Sequence, residues 1–204
     1  MAFSFESSIE LSLSSCEIIE CQLQQSPTFT KRKIASMTNT VFLRPWKAED
    51  AAALAAICNS KQIWMNVRDR FPHPYTVKDA IEWISFTLSQ KPLQNFAVMY
   101  KGEVAGSIGI TPKDDIYRKT IEIGYFIGEP FWGRGIATEA VAHVLNYISR
   151  EFDVIRIFAE VFENNKASMR VLEKNGFRLE SIRQKAVIKN NVVMDDSVWV
   201  KIVK

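Results

Sequence analysis

A glycine-rich turn, Gly128-Glu-Pro-Phe-Trp132-Gly133-Arg134-Gly135, joins an apolar run, Ile121–Ile127, to a segment with helical periodicity that continues to Glu151. A helix N-terminus carries backbone N–H groups without intrahelical partners and the positive end of the helix dipole. Bringing Gly133, Gly135, Ala137 and Thr138 to that point makes a site for an anion such as a phosphate. Three readings of the turn compete. A phosphate loop of the GxxxxGK[ST] type needs a lysine and then a hydroxyl residue, where this chain has Arg134 and Gly135. A dinucleotide site could use Gly133-x-Gly135 with Glu160 as the ribose ligand, but too little chain follows Glu160 for a doubly wound sheet. The third is a tight turn that binds nothing.

The turn needs a strand before it and a helix after it. Val141, Val144, Leu145, Ile148 and Phe152 fall on one helical face. Upstream, Val41-Phe42-Leu43 reads as a short strand closed by Arg44-Pro45, and Ala51, Leu54, Ala55, Ile57 and Cys58 as the apolar face of a helix. An aromatic segment, Ile63–Phe71, leads to Pro72-His73-Pro74, where prolines forbid a helix. Thr76, with Asp79 three residues on, opens a second helix through a shortened capping box. Asn95–Tyr100 and Glu103–Ile110 form a hairpin about Lys101-Gly102. After the long helix come a strand at Val154–Val161, a polar turn, a helix at Ala167–Lys174 ended by Gly176, and two strands flanking Asn190-Asn191. The order β-α-α-β-β-β-α-β-α-β-β predicts a single α/β domain with a mixed sheet over residues 38–204. Residues 1–37 hold eight serines and no glycine. They read as a poorly ordered N-terminal extension, since their glutamates contradict a transit peptide and no basic start precedes an apolar core.

Composition narrows the function. A net charge of +3 without a dense run of basic and aromatic residues argues against nucleic acid. The longest apolar run, Ala51–Cys58, is far short of the ~20 residues that cross a membrane. Cys16, Cys21 and Cys58 form no metal pattern with His73 and His143, so no metal is expected. The odd cysteine count points to a reducing, cytoplasmic location.

Two stretches carry a family resemblance. The loop Trp132-Gly133-Arg134-Gly135-Ile136-Ala137 resembles the (Gln/Arg)-x-x-Gly-x-(Gly/Ala) acyl-CoA pyrophosphate loop of the GNAT N-acetyltransferase superfamily, with Trp132 departing at the first position. Asn165-Lys-Ala-Ser168, followed by Leu172-Glu173-Lys174-Asn-Gly176-Phe177, is similar to that superfamily's second motif. The WGRGIATEA variant and the opening Phe42-Leu43-Arg44-Pro45 with Glu49-Asp50 resemble the branch containing the ribosomal-protein N-terminal (alanine/serine) acetyltransferases. The resemblance covers residues 40–204. It implies a mostly antiparallel sheet splayed at the cofactor site and flanked by helices. It also implies acetyl-CoA as co-substrate and direct transfer of an acetyl group to a primary amine in a ternary complex. The acceptor is a protein or peptide N-terminus or a small amine, and the chain a monomer or homodimer. The alternative is a CoA-binding module without transfer activity.

The resemblance also implies roles for residues. Amides from Arg134 through Thr138, including those of Gly135, Ile136 and Ala137, would wrap the pyrophosphate, with Arg134 either touching phosphate or facing solvent. Phe126, Ile127 and Gly128 would pair with the pantetheine arm and aim an N–H at the thioester carbonyl. Asn165 would contact CoA, and Ser168 would lie near the sulfur or else only begin a helix. The superfamily's thiolate-protonating tyrosine falls at Leu172, and the ribosomal branch's glutamate at Val187, so neither carries over. Glu122 remains the candidate base, or else an exposed sheet-face carboxylate. Trp64, Phe71 and Tyr75, with Arg68, Asp69 and Arg70, are candidates for acceptor selection, or plain core and loop residues.

Overall fold

The computed structural model describes residues 41–203; the N-terminal extension expected over residues 1–37 lies outside them. Seven strands form one sheet: β1 (Val41–Arg44), β2 (Asn95–Tyr100), β3 (Glu103–Pro112), β4 (Thr120–Ile127), β5 (Arg156–Phe162), β6 (Arg178–Lys189) and β7 (Val192–Ile202). Their order across the sheet is β1-β2-β3-β4-β5-β7-β6. All neighbouring pairs are antiparallel except β4 with β5. That parallel pair needs a crossover, supplied by the long helix between them. The helices are α1 (Ala51–Cys58), α2 (Lys61–Trp64), α3 (Val77–Leu88), α4 (Ile136–Glu151) and α5 (Lys166–Lys174).

Strand alternation sorts the apolar residues into two cores, one on each face of the sheet. On one face, Ile121, Ile123 and Ile127 of β4 and Ile157, Ala159 and Val161 of β5 pack with Val141, Val144 and Ile148 of α4 and Leu172 of α5. On the other, Ala97 and Met99 of β2 pack with Trp46, Leu54, Cys58, Tyr75, Ala80 and Ile84 from α1, α3 and their flanking segments. Val144 and Ile148 are wholly buried, each worth about 1.5–3 kcal/mol relative to exposure.

Local signals account for most boundaries. Thr76 Oγ1 accepts from Asp79 N (3.2 Å) while Asp79 Oδ2 accepts from Thr76 N (2.7 Å), closing the box that starts α3. Lys101 and Gly102 both take positive φ (51° and 83°), the two-residue turn a twisted hairpin prefers; Asn190 and Asn191 do the same between β6 and β7. Arg44 grips Asp50 through two bonds (2.6 and 2.8 Å), and Asp50 also accepts from Lys47 N (2.9 Å), which fixes the chain's exit from β1. Two features depart from the expected order. The aromatic segment contains the turn α2, started by Ser60 Oγ accepting from Ile63 N (3.1 Å). Strand β5 begins at Arg156 rather than Val154, because Ile155 N and Arg156 N both donate to Lys119 O (3.0 and 3.2 Å) and anchor the crossover.

Candidate active site

The parallel pair comes apart. Strands β4 and β5 are in register only at Thr120, Ile121 and Glu122, opposite Arg156, Ile157 and Phe158, yet β4 runs on to Ile127 and β5 to Phe162. Beyond Glu122 the two strands form a fork. On its other side β4 stays paired with β3, where Gly128 N donates to Ala105 O (2.8 Å) and Lys113 N to Thr120 O (2.9 Å). In an antiparallel ladder such bonds involve alternate residues. The backbone groups of Gly124, Phe126 and Gly128 therefore face β3, and those of Tyr125 and Ile127 face the fork. Of the three residues expected to pair with the pantetheine arm, Ile127 turns its backbone to the fork, as Tyr125 does; Phe126 and Gly128 turn theirs to β3.

The glycine turn stands at the open end of β4. Gly133 and Gly135 have φ of 75° and 78°, conformations that strain any residue with a Cβ, and a Cβ at either would point into open space. Gly135 is the residue before α4, so the first amides of that helix face the same space. Ile136 contributes only its amide, because its side chain is in the core. Ala137 and Thr138 are half-buried beside it, and Arg134 is exposed. Trp132 serves the turn itself, since its indole Nε1 donates to Ile127 O (2.6 Å) and ties the turn back onto β4. The departure from the family's first loop residue is thus a structural strap.

Across the fork stands the start of α5. Asn165 caps it, its Oδ1 accepting from Ser168 N (3.1 Å), which leaves its Nδ2 to donate elsewhere. The Ser168 hydroxyl meets Tyr125 Oη at 2.9 Å. Burial pushes the Tyr125 hydroxyl up to about 12, a shift that the Ser168 bond partly opposes. Tyr125 is not among the candidates that the sequence offers; its one signal there is a lone hydroxyl-bearing ring in an apolar strand. Leu172 is fully buried, so the position of the family's tyrosine belongs to the core.

A cavity of about 990 Å³ opens on the opposite face, lined among others by Glu122, Gly124, Phe126, Glu160, Asp196 and Val187. Its floor is ionic. Glu122, 15% exposed at its side chain, holds Arg68 on Oε1 (2.5 Å) and Lys113 on Oε2 (2.7 Å). Arg68 Nη2 also reaches Glu160 (3.1 Å), Glu160 pairs with Arg183 (2.9 Å), and Arg183 pairs with Asp196. The loop from α2 to α3 forms one wall, with Phe71 stacked obliquely on Tyr75 and edge-on to Phe126. It is tied to β6 as well, through Asp69 and Lys189 (2.7 Å), whose buried ammonium sits 3.9 Å over the Trp64 ring. His73 is exposed and stacks on Trp64, while His143 bonds Val41 O (3.0 Å) far from the cavity. Sequence reasoning passes over Lys113, Arg183, Asp196 and Lys189. Lys113 lies in the connection after β3, Arg183 and Lys189 on β6 and Asp196 on β7, and no motif spacing in the sequence links them. No group of histidine, cysteine and carboxylate side chains with metal-holding geometry occurs among the described residues.

The cavity reaches into the fork, where Tyr125, Asn165 and Ser168 are among its lining residues, and the glycine turn stands at the fork's open end. Residues 40–178 match the model of the acetyltransferase (GNAT) domain, and the chain belongs to that family. It is an acetyl-CoA-dependent acyltransferase, with acetyl-CoA as its co-substrate. The chain is similar to the probable N-acetyltransferase YjcK of Bacillus subtilis (strain 168), 46% identical over 80 residues, which are 39% of this chain and 44% of that protein. An uncharacterized N-acetyltransferase of the same organism, YoaA, is 28% identical over 176 residues, covering 79% of this chain and 93% of the relative. Among solved structures, RimL, a ribosomal L7/L12 alpha-N-protein acetyltransferase in complex with coenzyme A, superposes with a TM-score of 0.70 at 22% identity. That match covers 80% of this chain and 94% of RimL. Mycobacterium smegmatis RimJ in complex with CoA-disulfide gives 0.72 at 24%, covering 81% and 83%. At these identities the structural likeness is one of fold.

Proposed function

We propose that the protein moves the acetyl group of acetyl-CoA onto a primary amine, a peptide N-terminus or a small amine, by direct attack within a ternary complex. The observation that carries this reading is the fork: the unpaired amides of Tyr125 and Ile127 lead from the N-terminus of α4 to a cavity floored by Glu122. In that arrangement the α4 amides hold the pyrophosphate, and a backbone N–H of β4 steadies the carbonyl oxygen as charge builds on it. The new N–C bond forms as the C–S bond breaks. Glu122 takes the proton shed by the amine through a water, because each of its oxygens keeps a lone pair beyond the cation it holds. On the leaving side, the hydroxyl pair Ser168–Tyr125 returns a proton to the thiolate. Tyr125, with its pKa pushed up to about 12, keeps its proton at neutral pH. The three cysteines support a reducing compartment as the site of action.

Two observations favour a second reading, a CoA-binding module without transfer activity. Both Glu122 oxygens are engaged by cations, and apolar side chains occupy Leu172 and Val187. Incubating the protein with acetyl-CoA, a panel of peptide and small amines and a thiol reagent separates the two. Amine-dependent thiol release supports transfer; CoA binding without release from any acceptor overturns it.

A further inference from the structure

Among the described residues four arginines pair with carboxylates, and two of them do so through a fork. Arg44 meets Asp50 through Nη1 and Nη2, and Arg156 meets Glu180 the same way (2.7 and 2.5 Å). Arg183 instead sets Nη2 alone between Glu160 and Asp196, and Arg68 does likewise. Its single nitrogen Nη2 lies between two carboxylates of different strands, 2.5 Å from Glu122 and 3.1 Å from Glu160, just where β4 and β5 part. One nitrogen shared by several acceptors is the bonding pattern of a primary ammonium, which carries three donors on one atom.

We propose that the Arg68 guanidinium occupies the ammonium subsite of the acceptor, and that a primary amine enters as its cation by replacing Arg68 between Glu122 and Glu160. The inference rests on the transfer reading above and names the form in which the acceptor binds. Charge supports it. With Arg68 in place, Lys113, Arg68 and Arg183 balance Glu122, Glu160 and Asp196. Without it the cluster holds one negative charge too many, enough for a single cation. Of the three carboxylates, Asp196 lines the same cavity, is 1% exposed, and keeps an Oδ1 with no hydrogen-bond partner among the described residues. Space is available too, because Gly124, between Glu122 and Phe126 on this face, leaves open the volume that a Cβ would take.

Arg68 is suited to leave. Its side chain is half exposed, so its ion pairs are screened by water and hold it weakly. Asp69, the next residue, keeps its own bond to the buried Lys189. The loop can therefore remain docked while the Arg68 side chain swings out.

The test uses the full chain with Arg68→Ala and Arg68→Lys. Methylguanidinium, titrated by calorimetry at constant ionic strength, binds Arg68→Ala at least about tenfold more tightly than it binds wild type or Arg68→Lys, and adding Glu160→Gln abolishes the gain. Equal affinity in all variants, or no binding to Arg68→Ala, overturns the subsite. In turnover, Arg68→Ala lowers the KM for a primary amine about fivefold and leaves the KM for acetyl-CoA unchanged. A raised amine KM also overturns it, by making Arg68 a residue that holds the acceptor. Absence of thiol release from every variant counts against the transfer reading, and the calorimetric result then decides the subsite by itself.

Discussion

The two halves of the site are built from different materials. The half proposed for the carrier is made of backbone: positive-φ glycines, the first amides of α4 and the unpaired edge of β4. The half proposed for the acceptor is made of side chains, an ion-pair chain running from Lys113 through Glu122, Arg68, Glu160 and Arg183 to Asp196. Backbone donors are fixed by the fold and tolerate varied neighbours, so they suit a ligand that never changes. Side-chain pairs are replaceable one at a time, so they suit a substrate that can differ between relatives.

Substitutions can break either half separately. On the acceptor side, Glu122→Gln should lower kcat/KM about 10²–10⁴-fold while leaving the Kd for CoA unchanged; an equal loss of CoA affinity would show the halves to be one unit. Gly135→Val does the reverse. A β-branched residue at φ 78° is strained, and its Cβ enters the open space in front of α4. CoA affinity should fall at least about a hundredfold, with the far-UV circular dichroism of the wild type retained. Tyr125→Phe should lower kcat about tenfold and leave both KM values near wild type, since it removes a hydroxyl and keeps the ring. An unaltered kcat would reduce the Ser168 pair to packing.

A fourth substitution touches neither half and calibrates them. The Arg44 guanidinium, bonded to Asp50, holds its carboxyl below the usual carboxylate range. That stabilisation is fully present above about pH 4, the unfolded value, and is lost as pH falls through the lower folded value. Asp50→Asn should therefore cost about 1.5–3 kcal/mol at pH 7, read from urea denaturation, and the gap to wild type should close towards pH 2. A gap independent of pH would assign the loss to packing.

The same division explains what the chain discloses before it is folded. The strand, turn and helix around Gly128–Gly135 sit within some thirty consecutive residues, where periodicity and glycine spacing act locally, and the turn at the helix N-terminus is legible from them. So are the capping box at Thr76 and the turns at Lys101-Gly102 and Asn190-Asn191. Glu122 stands out as a candidate, but its surroundings do not: Arg68 is 54 residues away and Lys113 on the far side of a polar connection. Tyr125 and Ser168 meet across 43 residues, and Asp69 and Lys189 across 120. Such pairs follow from sheet order and from the irregular register between Arg183 and Val187 on β6, which no local propensity encodes. Trp132 illustrates the limit within a motif, since its position marks a departure while only the folded turn shows its indole bound to Ile127 O.

The fork also makes β4 a central strand with an open flank. Amides at Tyr125 and Ile127, lacking a neighbouring strand on that side, should exchange with solvent deuterium early, although they lie in the middle of the sheet. A carrier lying along them would act as a missing strand, slowing that exchange and raising the melting temperature with its concentration. At a hundred times the dissociation constant, the linkage adds about 2.7 kcal/mol of stability. Inside a cell, the lifetime of the folded chain would then track the supply of its acyl carrier.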